Sequence, residues 1–190
     1  YMVAATITGG NVLIKNVIPK HLEPITSKLE KAGATIEEFD DSLRVYRTGD
    51  LEPLNIKTMP HPGFPTDMQP LMTVLLTLAK GTSIITEGIW ENRFRYVDEL
   101  TRMGANIQVD GRVAVIEGVQ ELLPAPMRAA DLRAGAALVV AALAADGVSE
   151  VDEICHIERG YEDIVEKLRG LGADIKRVEK PAGVLRQAAL

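Results

Sequence analysis

Cysteine is almost missing from this sequence: Cys155 is the only one. A lone cysteine closes no internal disulfide, so the core must hold without covalent staples, which fits a reducing cytosol. Aromatic residues are scarce at 4%, and the single tryptophan, Trp90, suits packing or a rim contact better than a base-stacking platform. Positive charge is in deficit, with 21 Lys and Arg against 27 Asp and Glu, a net charge of −6 and a pI near 5.2. That balance argues against a general nucleic-acid binder, although local arginine clusters keep an anionic small substrate open. No apolar run reaches the roughly 18 residues of a membrane span. The longest candidate, Ala134 to Ala145, is Ala-rich and reads as a core helix. The opening "YMVAATITGG" has neither a basic stretch nor a cleavage site, so it does not read as a signal peptide. It reads as the tail of a helix, and the chain is expected to be a piece of a longer protein. Walker and GxGxxG phosphate loops are absent too.

What is present is a chain of 190 residues with 46% hydrophobic and 25% charged content, enough for one large domain or two small ones. Its most informative feature is internal repetition. "LEKAGATIEE", "LTRMGANIQV" and "LRGLGADIKR" share the frame Leu-x-x-x-Gly-Ala-x-Ile, with glycines at 33, 104 and 172. Earlier glycines, Gly10, Gly81 and Gly147, precede these by 23, 23 and 25 residues. Upstream, "DMQPLMTVLLTLAKG" pairs with "DLRAGAALVVAALAADG", and "YMVAATITGG" keeps only the tail of that helix. Each copy therefore predicts an apolar helix, a strand ("TSIITEG", "VSEVDEI"), an amphipathic helix closed by a glycine C-cap, and an "ANIQV" type strand. Asp110-Gly111 between alternating apolar residues predicts a hairpin, and "ATIEEFDDSLRVYRTG" repeats the pattern. The first helices are apolar all round and should be buried; the second are one-sided and should face solvent. The expected fold is α/β (α+β): one inverse, barrel-like domain of three pseudo-symmetric units, helices inside and small sheets outside. The units span about 1–63, 64–128 and 129–180, with a tail at 181–190.

Both full buried helices open with an acid, Asp67 and Asp131. Asp is a favoured N-cap, worth about 1 kcal/mol over Ala, and suits the positive end of a helix dipole. Capping and chemistry stand as equal readings for each. Arg133 lies just inside the third unit's helix, while Arg93 in "IWENRFRY" and Arg159 in "CHIERGYE" occupy corresponding strand-to-helix links. Guanidiniums grip phosphate or carboxylate in two-pronged fashion, and helix N-termini attract anions. Three arginines beside two helix mouths make a candidate anion site; the plainer reading pairs them with Glu91 and Glu158 on the surface. Cys155 and His156 are adjacent, so on a strand they would point apart. No third ligand shows metal spacing, and His21 and His61 are isolated, so neither metal nor cofactor is expected.

These residues carry a resemblance. "PHPGFPTDMQ", "ENRF", "ADLRA" and "HIERGYE", in that order with "MGA" and "LGA" between, resemble the enolpyruvyl transferases, and among them UDP-N-acetylglucosamine 1-carboxyvinyltransferase of peptidoglycan synthesis. The match runs from Tyr1 to about Val178. The sister enzyme, 5-enolpyruvylshikimate-3-phosphate synthase, shares the architecture, but "FPTDMQ" and "ENRF" in these forms resemble the sugar-nucleotide enzyme. The resemblance implies two domains of three βαβαββ units each, with phosphoenolpyruvate and UDP-N-acetylglucosamine bound in the cleft between them. It implies Asp67 as the acid that contacts the sugar 3′-hydroxyl and acts as general base, and Ile89 as a backbone contact to the uridine nucleotide. Arg133 and Arg159 match arginines around the phosphate and carboxylate of phosphoenolpyruvate, Arg159 with a catalytic share, and Arg93 matches another on that face. Glu91 and Asp131 would orient these groups and assist proton movement. The family's reactive cysteine, a lysine–asparagine pair and most uridine contacts belong to the other domain, so this chain is expected to be the C-terminal domain, inactive alone. Cys155 stands where the family often has tyrosine and is not that nucleophile.

Overall fold

The computed structural model describes residues 1–179. The first unit runs α1 (Met2–Thr8), β1 (Asn11–Lys15), α2 (Pro19–Lys31), β2 (Thr35–Glu38) and β3 (Ser42–Tyr46). The second runs β4 (Asn55–Lys57), α3 (Gln69–Leu76), β5 (Thr82–Thr86), α4 (Val97–Arg102), β6 (Asn106–Asp110) and β7 (Val113–Glu117). The third holds β8 (Pro126–Arg128), α5 (Leu132–Ala144), β9 (Glu150–Asp152), α6 (Cys155–Glu158) and α7 (Ile164–Gly170).

The apolar helices lie at the centre, as their all-round hydrophobicity requires. Every residue of α3 is buried, as are Ala134–Ala141 of α5 and Met2–Ile7 of α1. The three helices touch one another pairwise. Leu75, Leu76 and Leu138 are wholly inaccessible, and a leucine so placed contributes about 2–5 kcal/mol over alanine. The outer helices bury single stripes: Ile25, Thr26 and Leu29 of α2, Val97 and Leu100 of α4, and Leu168 of α7.

Sheets cover this helical centre in three separate pieces, ordered β1-β3-β2, β4-β5-β7-β6 and β8-β9. No ladder joins them, so among the described residues the barrel-like closure expected from the repeat is not formed. The layering is inverse, helices inside and strands outside, but each sheet ends within its own unit. Parallel β4/β5 are linked through α3, and parallel β8/β9 through α5. By sheet partnership β4 and β8 go with the units that follow them, ahead of the approximate boundaries at 64 and 129. The predicted hairpin closes with Asp110 opposite Val113, and Gly111 takes the positive φ of 57° that the tight turn needs.

The shared frame has a local explanation. After α2, the Gly33 N–H donates to the Glu30 carbonyl (3.0 Å) and the Ala34 N–H to that of Leu29 (2.9 Å). The same two bonds recur from Gly104 and Ala105 to Thr101 and Leu100, and from Gly172 and Ala173 to Arg169 and Leu168. This is the Schellman termination, in which the glycine adopts positive φ (102°, 86° and 101°) and the leucine packs near the alanine two positions past the cap. The third unit departs from the pattern beyond this point. "ADIKR" forms no strand among the described residues, because a strand needs a ladder partner, and the third unit has no described return strand like β3 or β7. The expected tail, 181–190, lies outside the described residues.

Candidate active site

The mouths of α3 and α5 adjoin, and Asp67 and Arg133, 66 positions apart in sequence, meet there. Asp131 is the N-cap of α5: its Oδ1 accepts the backbone N–H groups of Arg133 and Ala134, both at 2.8 Å. Asp67 is not a cap, which corrects that reading of the motif. It sits in a single 3-10 turn, Thr66–Met68, ahead of α3, and its side chain accepts no helix N–H. With Gln69 and Pro70 opening α3, the turn moves the acid outward, and a proline there lacks an N–H to satisfy.

The Asp67 carboxylate is therefore available to side chains, and two guanidiniums take it. Arg133 bonds it in two-pronged fashion, Nε to Oδ1 and Nη2 to Oδ2 at 3.1 Å, while Arg93 Nη2 reaches Oδ1 at 3.1 Å. Arg93 is mostly buried, its side chain 17% exposed, whereas Asp67 and Arg133 are 57% and 40% exposed. Ion pairs this exposed contribute little to stability, about 0–1 kcal/mol each. The cluster instead holds two guanidiniums against the single carboxylate of Asp67, with the Asp131 carboxylate close enough to act on Arg133. Hydrogen bonding to Asp67, above all, pushes the Arg133 guanidinium up from its ordinary value; burial opposes this, and the charges of Asp67 and Asp131 add to it.

The other expected residues fall outside this cluster. Glu91 faces solvent and pairs with Arg112 at 3.1 Å, and Glu158 pairs with Arg177 at 2.7 Å. The plainer expectation that these acids neutralise Arg93 and Arg159 is thereby corrected: neither does. Arg159 is exposed at the end of α6, and among the described residues no ion pair joins it to Asp67. Ile89 is half-buried, with its N–H donating to the Glu87 carboxylate at 2.8 Å. Cys155 and His156 lie in the helical turn α6 and not on a strand, so they do not point apart. With Glu153 they bring possible ligand atoms within 4.8 Å of one another, though Glu153 is already paired with Arg128 at 3.1 Å.

Two residues escaped sequence reasoning. Tyr161 is half-buried beside the cluster; burial, first, then the nearby Tyr1, push its phenol up, while Arg133 pulls it down. Glu87, hidden in what reads as an ordinary strand end, is 1% exposed and fully bonded. Its only signal was spacing: it stands six residues before Arg93, as Glu153 stands before Arg159.

The family model described as EPSP synthase (3-phosphoshikimate 1-carboxyvinyltransferase) matches residues 1–168. The chain belongs to the enolpyruvyl transferase family. Its relatives include UDP-N-acetylglucosamine 1-carboxyvinyltransferase 3 of Caldanaerobacter subterraneus subsp. tengcongensis, 57% identical over 95% of this chain and 43% of that protein. UDP-N-acetylglucosamine 1-carboxyvinyltransferase of Desulfofundulus thermocisternus is 56% identical over 93% of this chain and 73% of that one. Among solved structures, the enolpyruvyl transferase NikO from Streptomyces tendae superposes with a TM-score of 0.83 at 31% identity, over 92% of this chain and 42% of NikO. EPSP synthase from Acinetobacter baumannii, at 20% identity and TM-score 0.65, shares the fold. The chain thus spans 43% of the first of these relatives. Within the described residues, no helix is long and apolar enough to cross a membrane.

Proposed function

We propose that this chain is the C-terminal half of an enzyme that transfers the enolpyruvyl group of phosphoenolpyruvate to the 3′-hydroxyl of UDP-N-acetylglucosamine, releasing phosphate. The observation that carries the reading is the meeting of Asp67 with Arg93 and Arg133 at the mouths of two buried helices. Its sequence support is the 57% identity to a protein of that name, against 20% to an EPSP synthase. The missing partner is an N-terminal domain of the same polypeptide, which would close the cleft. The setting is the cytoplasm and the synthesis of peptidoglycan precursors. No cofactor enters the reaction.

Addition of the sugar oxygen to phosphoenolpyruvate needs a base on the hydroxyl, a proton for the methylene carbon and cations for a multiply charged transition state. Asp67 serves as the base, and Arg93 and Arg133 supply the cations. An arriving phosphate or carboxylate competes for the guanidiniums, loosens their grip on Asp67 and frees a carboxylate oxygen for the hydroxyl. Arg159, exposed across the third unit's link, completes the anion site when the second domain closes. Ile89 meets the uridine nucleotide through its carbonyl oxygen, since its N–H is committed to Glu87. Asp131 fixes the first turn of α5 and with it the start of the Arg133 side chain. Glu91, on the rim, orients the bound groups.

The test is phosphate release from the two substrates by the whole protein and by this chain alone. Release is expected from the whole protein and not from the chain. A whole protein that used shikimate 3-phosphate in place of UDP-N-acetylglucosamine would overturn the choice of acceptor. A whole protein that bound both substrates without turnover would support a non-catalytic module instead.

A further inference from the structure

Glu87 is the one buried acid among the described residues, directly after β5. A carboxylate out of water is costly unless hydrogen bonds replace its hydration, and here four do. Oε1 accepts from Thr58 Oγ1 at 2.7 Å and from the backbone N–H groups of Ile89 at 2.8 Å and Trp90 at 3.1 Å. Oε2 accepts from Thr66 Oγ1 at 3.0 Å. Thr58, just past β4, in turn accepts the Gly88 N–H at 2.7 Å. One side chain therefore ties the end of β4, the segment that leads to Arg93, and the turn that carries Asp67.

The fold itself does not require this hub. In the third unit Glu153 stands where Glu87 stands, six residues before Arg159, yet it is exposed and turned to Arg128. Ala129 follows β8 as Thr58 follows β4, and Ala130 precedes Asp131 as Thr66 precedes Asp67, so both hydroxyls are gone. Among the described residues the hub occurs only in the unit whose acid, Asp67, does not cap its helix.

We propose that Glu87 is a positioning residue for the transfer reaction. It locks the Thr66–Asp67 turn to the Ile89–Arg93 segment, so that Asp67 and Arg93 meet at a fixed separation. The proposal rests on the functional reading above. Glu87 is too buried to touch a substrate, and it acts through Thr66 and the backbone at Ile89 and Trp90.

The test uses full-length enzyme carrying Glu87→Ala, Glu87→Gln or Thr66→Val. Glutamine keeps the length; its carbonyl oxygen replaces Oε1 and its amide donates to Thr66 Oγ1. Glu87→Ala should lower kcat about 10- to 100-fold, the cost of misplacing a reacting group by about 1 Å, with KM for phosphoenolpyruvate within about twofold. Glu87→Gln should recover kcat to within about threefold, and Thr66→Val should lose about tenfold. The double variant Glu87→Ala/Thr66→Val should be no slower than Glu87→Ala, since the two changes remove one shared interaction. Wild-type kcat in Glu87→Ala or in Thr66→Val overturns the proposal, as do equal losses in Glu87→Ala and Glu87→Gln. If Glu87→Ala fails to fold, the contrast between Glu87→Gln and Thr66→Val decides. Should wild-type enzyme release no phosphate, the functional reading fails, and amide hydrogen exchange then judges the hub separately. Thr66→Val should speed exchange at Met68, whose N–H closes the Asp67 turn onto the Pro65 carbonyl, and unchanged exchange there overturns the tie.

Discussion

The mouths of α3 and α5 begin from the same short phrase, an acid ahead of a buried apolar helix, and end in different places. Asp131 turns inward and satisfies two backbone N–H groups of its own helix. Asp67 is set one 3-10 turn ahead of its helix and satisfies none, so its carboxylate is left to Arg93 and Arg133. A cap uses its acceptor capacity on the chain that carries it; Asp67, one residue ahead of the cap position at Met68, keeps that capacity for other side chains. One acid caps its helix and the other, in the neighbouring copy, pairs with arginine side chains.

The largest effect expected from this contrast is on turnover. Asp67→Ala should reduce phosphate release by about 10²–10⁴-fold, the range for losing a general base, while lowering the thermal midpoint by no more than about 5 °C. Wild-type release from that variant would end the distinction between the two mouths. Arg133→Ala removes a two-pronged, charge-assisted contact worth about 1.5–3 kcal/mol, so kcat/KM for phosphoenolpyruvate should fall about 10- to 100-fold. Asp131→Ala should act mainly on stability, by about 1 kcal/mol in urea unfolding, because it removes a cap. A turnover loss beyond about tenfold at unchanged stability would place Asp131 beside Asp67. The smallest effects on turnover fall at the shared helix stops, where only stability should change. Gly104→Ala should cost about 1 kcal/mol through its positive φ. Gly33→Ala should cost more, because the added Cβ would lie 2.6 Å from the Asp50 carbonyl oxygen. Equal urea midpoints for these two would show that the first unit yields at Asp50.

Much of the architecture was legible because it rests on local rules. The Leu-x-x-x-Gly-Ala frame announces a helix stop whose every bond lies within six residues, and all three stops formed. Unbroken apolar runs in α3 and α5 announced their burial. Asp67, Arg93 and Arg133 could be nominated from motif order, and the fold does bring them together. Three features were not readable in the same way. The offset of Asp67 from its helix depends on a 3-10 turn that an N-cap pattern does not distinguish from a cap. Glu87 looks like the polar end of a strand, and only its tertiary partners Thr58 and Thr66 reveal a buried hub. The strand expected at "ADIKR" had good local pattern and, among the described residues, no ladder to join, and barrel closure is not formed there for a related reason: closure is decided by distant edges, not by any single repeat.

Each sheet draws its strands from one unit, so among the described residues no β-ladder spans the joints between units. What sets Asp67 of the second unit against Arg133 of the third is the apolar contact of α3 with α5, and such contacts fix spacing by the sizes of side chains. A change of side-chain size where α3 meets α5 is therefore an adjustment of the gap between a carboxylate and a guanidinium. The packing of the hydrophobic centre and the geometry of the ion pair are thus set at one interface.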